Sequence, residues 1–358
     1  MVDLEDRLVR FPNDMLRRNA FALVLCALLA PAAAAQDAPL TRVAFASCAN
    51  QTKPQPIWDA VQGYRPELFI FAGDNVYGDV TSAAMTELEA AYAKAATIAG
   101  YRRVRQAAPV LATWDDHDFG ANDGGAGFPH KAAAKRLFLD FWQVSPDDPR
   151  RAREGIYHAE TFGPEGMRIQ VILLDTRTFR SPLKAADRPV APGTGPYAPD
   201  PDPTNTILGA AQWAWLRGQL MRPADLRLIV SSVQVLAEGH GFEGWDNLPA
   251  ERAKLLELIA TTGAAGVLFL SGDRHVGALY RRAGAPYDLY EITSSGINMT
   301  YAGNRDVGPR RLGAVYGAEN FGTIDVDWWA GEVRLAVRSM NGEAVREVAI
   351  PLAALEPR

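Results

Sequence analysis

The sequence predicts an α/β fold in which two mixed β-sheets pack face to face and helices cover the outer faces. Three observations predict it. Continuous apolar runs of four to six residues recur along the chain, as in strands that are buried on both faces. Segments with helical spacing of apolar residues alternate with these runs. From Tyr287 onward the pattern changes to short strands joined by tight turns, which is typical of antiparallel sheets.

The elements follow in chain order. The predicted strands with continuous apolar sequence cover residues 43–46, 68–72, 110–114, 228–233 and 267–271. The predicted helices cover residues 56–62, 82–99, 131–143, 211–221 and 249–261. A hairpin is predicted over residues 157–162 and 168–174, and antiparallel strands over residues 287–293, 322–327, 332–338 and 345–350. Residues 184–205 are rich in Pro, Gly and Asp without periodicity, which predicts a long, mobile surface loop.

The N-terminal segment predicts export. Arg17 and Arg18 precede an apolar run over residues 20–30, and the alanines at 33–35 fit a small-residue cleavage site. Residues 1–35 are therefore interpreted as a signal peptide, with Met15 as an alternative start. The run is too short to anchor the protein in a membrane. We expect a periplasmic or extracellular protein, exported by the Sec or the twin-arginine route, in which residues 36–358 form one domain.

Charge and cysteine usage narrow the class of protein further. The 358 residues carry a formal net charge of −5, without a cluster of Lys and Arg. This pattern argues against a nucleic-acid-binding surface. Removal of the signal peptide takes Cys26 away, so Cys48 is the single thiol of the mature chain and cannot form an intramolecular disulfide. We expect the mature protein to be a monomer.

Ligand-type side chains stand where four of the apolar strands end. Cys48, Asp74 and the segment 115–118 follow the first three strands, and Asp273 follows the strand at 267–271. Open α/β sheets bind ligands beyond the carboxyl ends of their strands. The four strand ends are therefore predicted to meet in a metal site, because their joint occurrence by chance is improbable.

Each motif has its own chemistry and its own ordinary explanation. Asp74 can bridge two cations with its two oxygens, and Tyr77 can supply a phenolate, which suits ferric iron. The alternative is an aspartate that caps a helix beside a core tyrosine.

Asp273 and His275 are two residues apart in a segment predicted to be extended, so both side chains can face one site. Arg274 then points elsewhere, into a salt bridge or toward a phosphate.

The segment at 115–118 combines three carboxylates and one imidazole. Such a group repels itself strongly unless a cation is bound. The loop that follows contains Asn122 and several glycines and is predicted to lie over the same edge.

His240 is in a loop between two glycines, where it either reaches the site or is an exposed loop histidine. Asp175 and Arg177 either orient the site or form a buried ion pair.

These motifs resemble those of the alkaline phosphatase D (PhoD-like) family within the calcineurin-like metallophosphoesterases. The resemblance extends from Ser47 to about Ile297, and cysteine in the first motif with tyrosine in the second marks the PhoD-like branch. It implies a four-layer αββα sandwich that binds Fe3+ and Ca2+, with other divalent cations as alternatives. The implied metal ligands are Cys48, Asp74, Tyr77, Asp116, Asp273 and His275. The implied catalytic residues are His117 and Asp116, and the candidate substrate or supporting residues are Asp115, Asp118, Asn122, His240 and Arg274.

The function implied by the resemblance is hydrolysis of a phosphate ester on a small molecule or lipid. A metal-activated hydroxide attacks phosphorus, and His117 protonates the leaving alcohol or hydrogen-bonds the phosphate. Preference for monoesters or for diesters, including phospholipids, stays open at this point. A hypothesis of another class is a non-catalytic exported protein that binds metal or carbohydrate, suggested by Trp328 and Trp329.

Overall fold

The computed structural model describes residues 38–187, 193–304 and 308–358. The predicted signal peptide and part of the predicted loop at 184–205 lie outside the described residues. The strands are β1 (Arg42–Ala46), β2 (Leu68–Ala72), β3 (Val110–Thr113), β4 (His158–Phe162), β5 (Ile169–Leu173), β6 (Leu226–Val230), β7 (Val267–Ser271), β8 (Gly277–Arg282), β9 (Leu289–Ser294), β10 (Asn320–Asp327), β11 (Glu332–Ser339) and β12 (Ala344–Pro351). The α-helices are α1 (Trp58–Tyr64), α2 (Thr86–Ala95), α3 (Ala99–Ala107), α4 (Asp116–Phe119), α5 (Lys131–Phe141), α6 (Pro149–Ala152), α7 (Gly209–Leu220) and α8 (Pro249–Thr262).

The strands form two mixed sheets of six strands each. The first sheet has the order β12-β11-β10-β1-β2-β3, in which β1, β2 and β3 are parallel and β10 runs antiparallel to β1. The second sheet has the order β4-β5-β6-β7-β9-β8. Strands β5, β6, β7 and β9 are parallel there, and β4 and β8 pair antiparallel at its edges. Strands β1, β2 and β7 are parallel strands with continuous or nearly continuous apolar sequence, and their residues are mostly buried.

Alternate residues of β1 belong to two different cores. Val43 and Phe45 pack into a cluster that also contains Val171 and Leu228 of the second sheet. Ala44 packs into a second cluster, which residues of α1, α3 and α5 complete. This division follows from the two-residue period of a strand. Helices α7 and α8 contribute apolar side chains to the first cluster from the outer side of the second sheet. The predicted fold of two packed mixed sheets between helices is confirmed.

The structure differs from the predicted elements in several places. The predicted helix at 82–99 is only partly helical: α2 covers Thr86–Ala95, and the extended conformation of Ile98 separates it from α3, which begins at Ala99. Helix α3 was not predicted, since its sequence is mostly polar and buries only Tyr101 and Val104. Strand β8 was also not predicted, because it begins at a glycine and ends in two arginines. Both elements are defined by their neighbours more than by their own apolar pattern.

Trp328 and Trp329, which suggested the hypothesis of a carbohydrate-binding protein, have different surroundings. Trp328 donates a hydrogen bond from Nε1 to the carbonyl oxygen of Leu40 at 2.9 Å and packs against the inter-sheet core. Trp329, at the turn after β10, is 90% exposed. A single exposed ring is a smaller surface than the paired platform that the sequence suggested. Within the part of the chain that the structure describes, none of the helices is both long and apolar enough to cross a membrane.

Gly322 is required where β10 crosses Phe45. The two residues are directly paired, and a Cβ atom at position 322 would lie 2.1 Å from the Phe45 ring. We expect Gly322→Ala to lower the free energy of unfolding by about 1–3 kcal/mol, since overpacking forces the ring from its position. Chemical denaturation measures this change. Gly218→Ala in α7 is the control, because its Cβ meets no atom within 4 Å and alanine favours the helix. Equal stability changes in the two variants would contradict the packing argument.

Candidate metal centre

Four strand ends bring the predicted ligands together. Cys48 lies beyond β1, Asp74 beyond β2, and Asp116 beyond β3, which are neighbours in the first sheet. Asp273 lies beyond β7 in the second sheet, so the site joins the two sheets. Gly272 permits this junction, because a Cβ atom there would lie 2.3 Å from the Ser47 hydroxyl oxygen. The candidate metal centre thus lies where the carboxyl ends of strands from both sheets meet.

The backbone is unusual at these positions. Cys48, Asp74, Asp273 and His275 have φ angles of 62°, 50°, 66° and 56°, in the left-handed region that non-glycine residues seldom adopt. Backbone strain of this kind costs of order 1–3 kcal/mol per residue and is concentrated at functional sites. Here it turns each chain segment sharply after its strand. The four side chains are thereby directed to one place instead of continuing the alternation of the strand.

A first group of donors surrounds one oxygen of Asp74. Its Oδ2 lies 3.4 Å from the Cys48 sulfur and 3.2 Å from the Tyr77 hydroxyl oxygen. The same hydroxyl lies 3.2 Å from Nε2 of His275. Ligand atoms of Cys48, Asp74 and His275 all lie within 4.8 Å of one another. Thiolate, phenolate and imidazole ligands beside a carboxylate suit ferric iron.

A second group of donors contains only oxygen and nitrogen atoms. Ligand atoms of Asp74, Asp116 and His117 lie within 4.8 Å of one another, as do those of Asp115, Asp116 and Asp273. Asp74 therefore belongs to the first group and to the second, so this carboxylate could contribute ligand oxygens to two cations. Carboxylate oxygens suit calcium and other hard divalent cations.

The electrostatics of the site fit bound cations. Burial raises the pKa of Asp74 well above its ordinary value, and the neighbouring carboxylates raise it further. Burial also raises the pKa of Asp115 and of Asp273 to about 7, and that of the Cys48 thiol to about 12. Oδ2 of Asp115 is buried without a hydrogen-bond partner in the described residues. Cations would remove the repulsion and satisfy such oxygens, so the residues present fit a metal centre.

Arg177 supplies part of the positive charge. Its guanidinium is fully buried and forms ion pairs with Asp115 and with Glu243, the latter at 2.7 Å. Although burial opposes ionisation of Asp116, the charge of Arg177 lowers the pKa of that carboxyl. Asp175 instead accepts a hydrogen bond from Nε1 of Trp114 at 2.9 Å. The suggested ion pair between Asp175 and Arg177 is therefore wrong: the guanidinium pairs with Asp115 and Glu243, and Asp175 accepts a hydrogen bond from the backbone nitrogen of Arg177.

His117 is held at the rim of the site by a residue that the sequence analysis missed. Its Nδ1 lies 2.9 Å from Oδ2 of Asp79, and its ring packs against Tyr77 with a centroid distance of 4.2 Å and an angle of 33° between the ring planes. Burial alone would lower the pKa of His117, but Asp79 and the nearby carboxylates raise it to about 9. Asp79 follows Gly78 directly after the motif at 73–77. The feature of the sequence that could have identified it is therefore a carboxylate five residues beyond Asp74.

The remaining predicted residues have different positions. Asp118 accepts hydrogen bonds from the backbone nitrogens of Asp74, Asn75 and Asp115, which links two ligand-bearing segments. His240 is buried, and its Nδ1 accepts a hydrogen bond from the Phe242 backbone nitrogen at 3.0 Å. It is therefore not an exposed loop histidine, and it does not line the site cavity as far as the described residues define it.

A polar cavity of about 300 Å³ opens above the centre. Arg274 lines it with its guanidinium 3.9 Å from the centre of the Phe242 ring. Two further residues that the sequence analysis did not select, Asp123 and Glu243, lie within 4.8 Å of Asp116 through their carboxylates. The complete lining is Asp74, Asp116, His117, Asn122, Asp123, Pro196, Tyr197, Phe242, Glu243, Asp273, Arg274 and His275.

Comparisons with known proteins agree with this geometry. Residues 43–311 match the model of the PhoD-like phosphatase family. A solved structure of PhoD is similar over 88% of this chain and 69% of its own, with a TM-score of 0.68 and 17% identity. GAP50 from Plasmodium, an anchor in the inner membrane complex, is similar over 89% of this chain and 90% of its own, with a TM-score of 0.57 and 12% identity.

The purple acid phosphatase PPD1 from yellow lupin seeds is similar over 88% of this chain and 54% of its own, with a TM-score of 0.57 and 10% identity. At these identities the three structures show the fold alone. No curated protein matches the sequence.

Proposed function

The chain belongs to the PhoD-like phosphatase family and is a metal-dependent phosphoesterase, and from this premise we propose that it is exported and hydrolyses phosphate esters at the centre around Asp74. One observation carries the proposal. Ligand atoms of Asp74 lie close to those of Cys48 and His275 and also to those of Asp116, beneath a cavity that His117 lines. Shared carboxylates of this kind place two cations close enough to act on one phosphoryl group.

The residues divide between the proposed cations by their chemistry. Cys48, Tyr77 and His275 would hold ferric iron with one oxygen of Asp74, and Asp116 with Asp273 would contribute to a calcium site. When bound, cations of this kind provide hydroxide near neutral pH and neutralise negative charge on the phosphoryl oxygens. Asp115 is positioned by Arg177 and by the Ser232 hydroxyl, which donates a hydrogen bond to its Oδ1 at 2.6 Å. By fixing the position of Asp115, these two contacts also restrict the backbone of the neighbouring Asp116.

His117 is the proposed general acid. The Asp79 carboxylate accepts the hydrogen on Nδ1, so the Nε2–H of the imidazolium remains available for the leaving oxygen of the ester. With a pKa of about 9, His117 carries this proton at neutral pH. Protonation of the leaving alkoxide by a positioned group contributes typically 10²–10⁴ to the rate. Arg274 lies on the same cavity wall, where its guanidinium can bind a phosphoryl oxygen.

The contact between Asp79 and His117 gives a prediction for a positioning residue. We expect Asp79→Asn to lower kcat about tenfold and to leave metal content intact, because the ring loses the carboxylate that orients it. Removal of that charge also lowers the pKa of His117, so the alkaline limb of the kcat profile moves to lower pH. A pH–rate profile measures both effects. If kcat falls without movement of the alkaline limb, Asp79 has only a structural role.

The proposed activity is tested by release of p-nitrophenol from p-nitrophenyl phosphate and from bis-p-nitrophenyl phosphate. Turnover of either ester by the metal-replete protein supports the proposal. Turnover of neither would favour the hypothesis of a non-catalytic binding protein. Export is tested separately, by N-terminal sequencing of the protein recovered outside the cytoplasm. An N-terminus at residue 36 is the expected result, and an intact N-terminus in the cytoplasmic fraction would contradict it.

A further inference from the structure

A second cavity adjoins the one above the metal centre. It has a volume of about 310 Å³ and shares two lining residues, Asp123 and Tyr197, with the first cavity. The Tyr197 hydroxyl donates a hydrogen bond to Oδ2 of Asp123 at 2.6 Å. The two cavities are therefore neighbouring compartments with one hydrogen-bonded pair in their common wall. A substrate with two arms can occupy both.

The second compartment differs chemically from the first. Phe128, Pro182 and Leu183 give it apolar surface, and the loop at 121–127 contributes backbone and small residues. Its one guanidinium, that of Arg180, is already bound to Glu243 at 2.9 Å and to the carbonyl oxygens of Gly124 and Ser181. The Arg180 guanidinium already has these partners. The described wall of the second compartment is therefore suited to binding a neutral, largely apolar group and not a second anion.

The compartment is fixed before any ligand binds. Ala126 donates a backbone hydrogen bond to the Arg180 carbonyl oxygen at 2.9 Å, and a Cβ atom at Gly125 would lie 2.7 Å from the same oxygen. Tyr197 is held from the other side by a hydrogen bond from its backbone nitrogen to the Gly241 carbonyl oxygen at 2.8 Å. Walls that are already ordered reduce the entropy that binding costs.

We propose that this second compartment is the subsite for the retained alcohol of a phosphodiester, and that the alcohol is uncharged and apolar. The inference rests on the proposed function, in which His117 serves the leaving oxygen. His117 lines the first cavity but is absent from the described lining of the second. The alcohol in the second compartment is therefore the one that stays on phosphorus. A water molecule adds its oxygen to phosphorus and releases one proton to the solvent. The bond between phosphorus and the other alcohol breaks, and the oxygen of that alcohol takes the proton of His117, which is regained from the solvent. The products are the monoester of the retained alcohol and the free second alcohol.

The test compares two diesters with the same leaving group, phenyl p-nitrophenyl phosphate and methyl p-nitrophenyl phosphate, together with the monoester p-nitrophenyl phosphate. The holoenzyme is expected to favour the phenyl over the methyl diester about ten- to hundredfold in kcat/KM, because only the phenyl group fills an apolar pocket. A ratio near one with turnover of all three esters would overturn the subsite and leave the proposed function standing. Turnover of none would overturn the function itself.

A variant locates the subsite. Gly127 lines the second compartment, and a Cβ atom there meets no atom within 4 Å, so Gly127→Leu adds bulk without a clash. We expect this variant to reduce the phenyl-to-methyl ratio about tenfold. Gly63→Leu is the matched control, since Gly63 in α1 is also open and lines neither cavity. A ratio in Gly127→Leu that equals the control ratio would contradict the assignment, and thermal melting shows whether both variants are folded.

Discussion

Replacement of Asp74 by asparagine is expected to abolish metal-dependent turnover. Among the residues that the structure describes, Asp74 is the carboxylate shared by both donor groups. Its Oδ2 contacts Cys48 and Tyr77, and its Oδ1 accepts a hydrogen bond from the His117 backbone nitrogen. An amide keeps the shape of the side chain but removes the charge and one ligand oxygen. Loss of cation stabilisation worth several kcal/mol lowers kcat/KM by about three orders of magnitude or more. Bound metal, measured by elemental analysis, is expected to fall in parallel.

Metal-free protein separates this effect from unfolding. Without cations, Asp74 is buried among other carboxylates whose charges oppose its ionisation. The neutral amide of the variant removes that repulsion, so metal-free Asp74→Asn is expected to melt no lower than the metal-free parent protein. Asp59→Asn, at an exposed residue of α1, is the control and is expected to retain metal and activity. Full metal content and full turnover in Asp74→Asn would show that the centre lies elsewhere.

Replacement of His117 by alanine is expected to lower kcat about 10²–10⁴-fold while metal content stays nearly constant. The imidazole is in contact with Asp79 and Tyr77 at the rim, and the substitution leaves Cys48, Asp74 and Asp273, the proposed ligands, unchanged. The parent protein carries an imidazolium with a pKa of about 9, so the group donates a proton below this pH and cannot donate above it. The alkaline limb of the kcat profile is therefore expected to disappear in the variant.

Two comparisons make the result specific to His117. His130→Ala changes a histidine at the start of α5 that does not line the site cavity in the described residues, and it is expected to retain turnover. Elemental analysis of both variants shows whether the lost rate follows lost metal. Equal losses of metal and of turnover in His117→Ala would make this residue a metal ligand, and the role of general acid would be withdrawn.

The fold and the ligand types could be predicted because both depend on local sequence. A continuous apolar run identifies a buried strand wherever it occurs, and Cys48, Asp74 and Asp273 directly follow such runs. The direction in which each ligand points was not predictable from periodicity. Left-handed backbone conformations at these residues break the alternation of the strand, and tertiary packing holds them in place.

Partners that lie far apart in the sequence were missed for a related reason. Glu243 pairs with Arg177 across 66 residues, and Arg180 joins the same carboxylate. Arg177 was selected after the strand at 168–174, but Arg180 and Glu243 do not directly follow an apolar strand. A charged side chain has several carboxylates and cations within its possible reach, and only the loop conformation selects among them.

By itself, the sequence determined the layered α/β architecture, the family and the set of ligand-type residues at the strand ends. Hydrophobic periodicity and residue chemistry are properties of short segments, so they can be recognised without the tertiary structure. The tertiary structure decided that the centre spans both sheets through the close contact of Gly272 with Ser47. It also decided that Asp79 orients His117 and that Tyr197 and Asp123 divide two cavities. These features depend on the relative positions of loops, which long-range packing fixes and the pattern of a single segment does not encode.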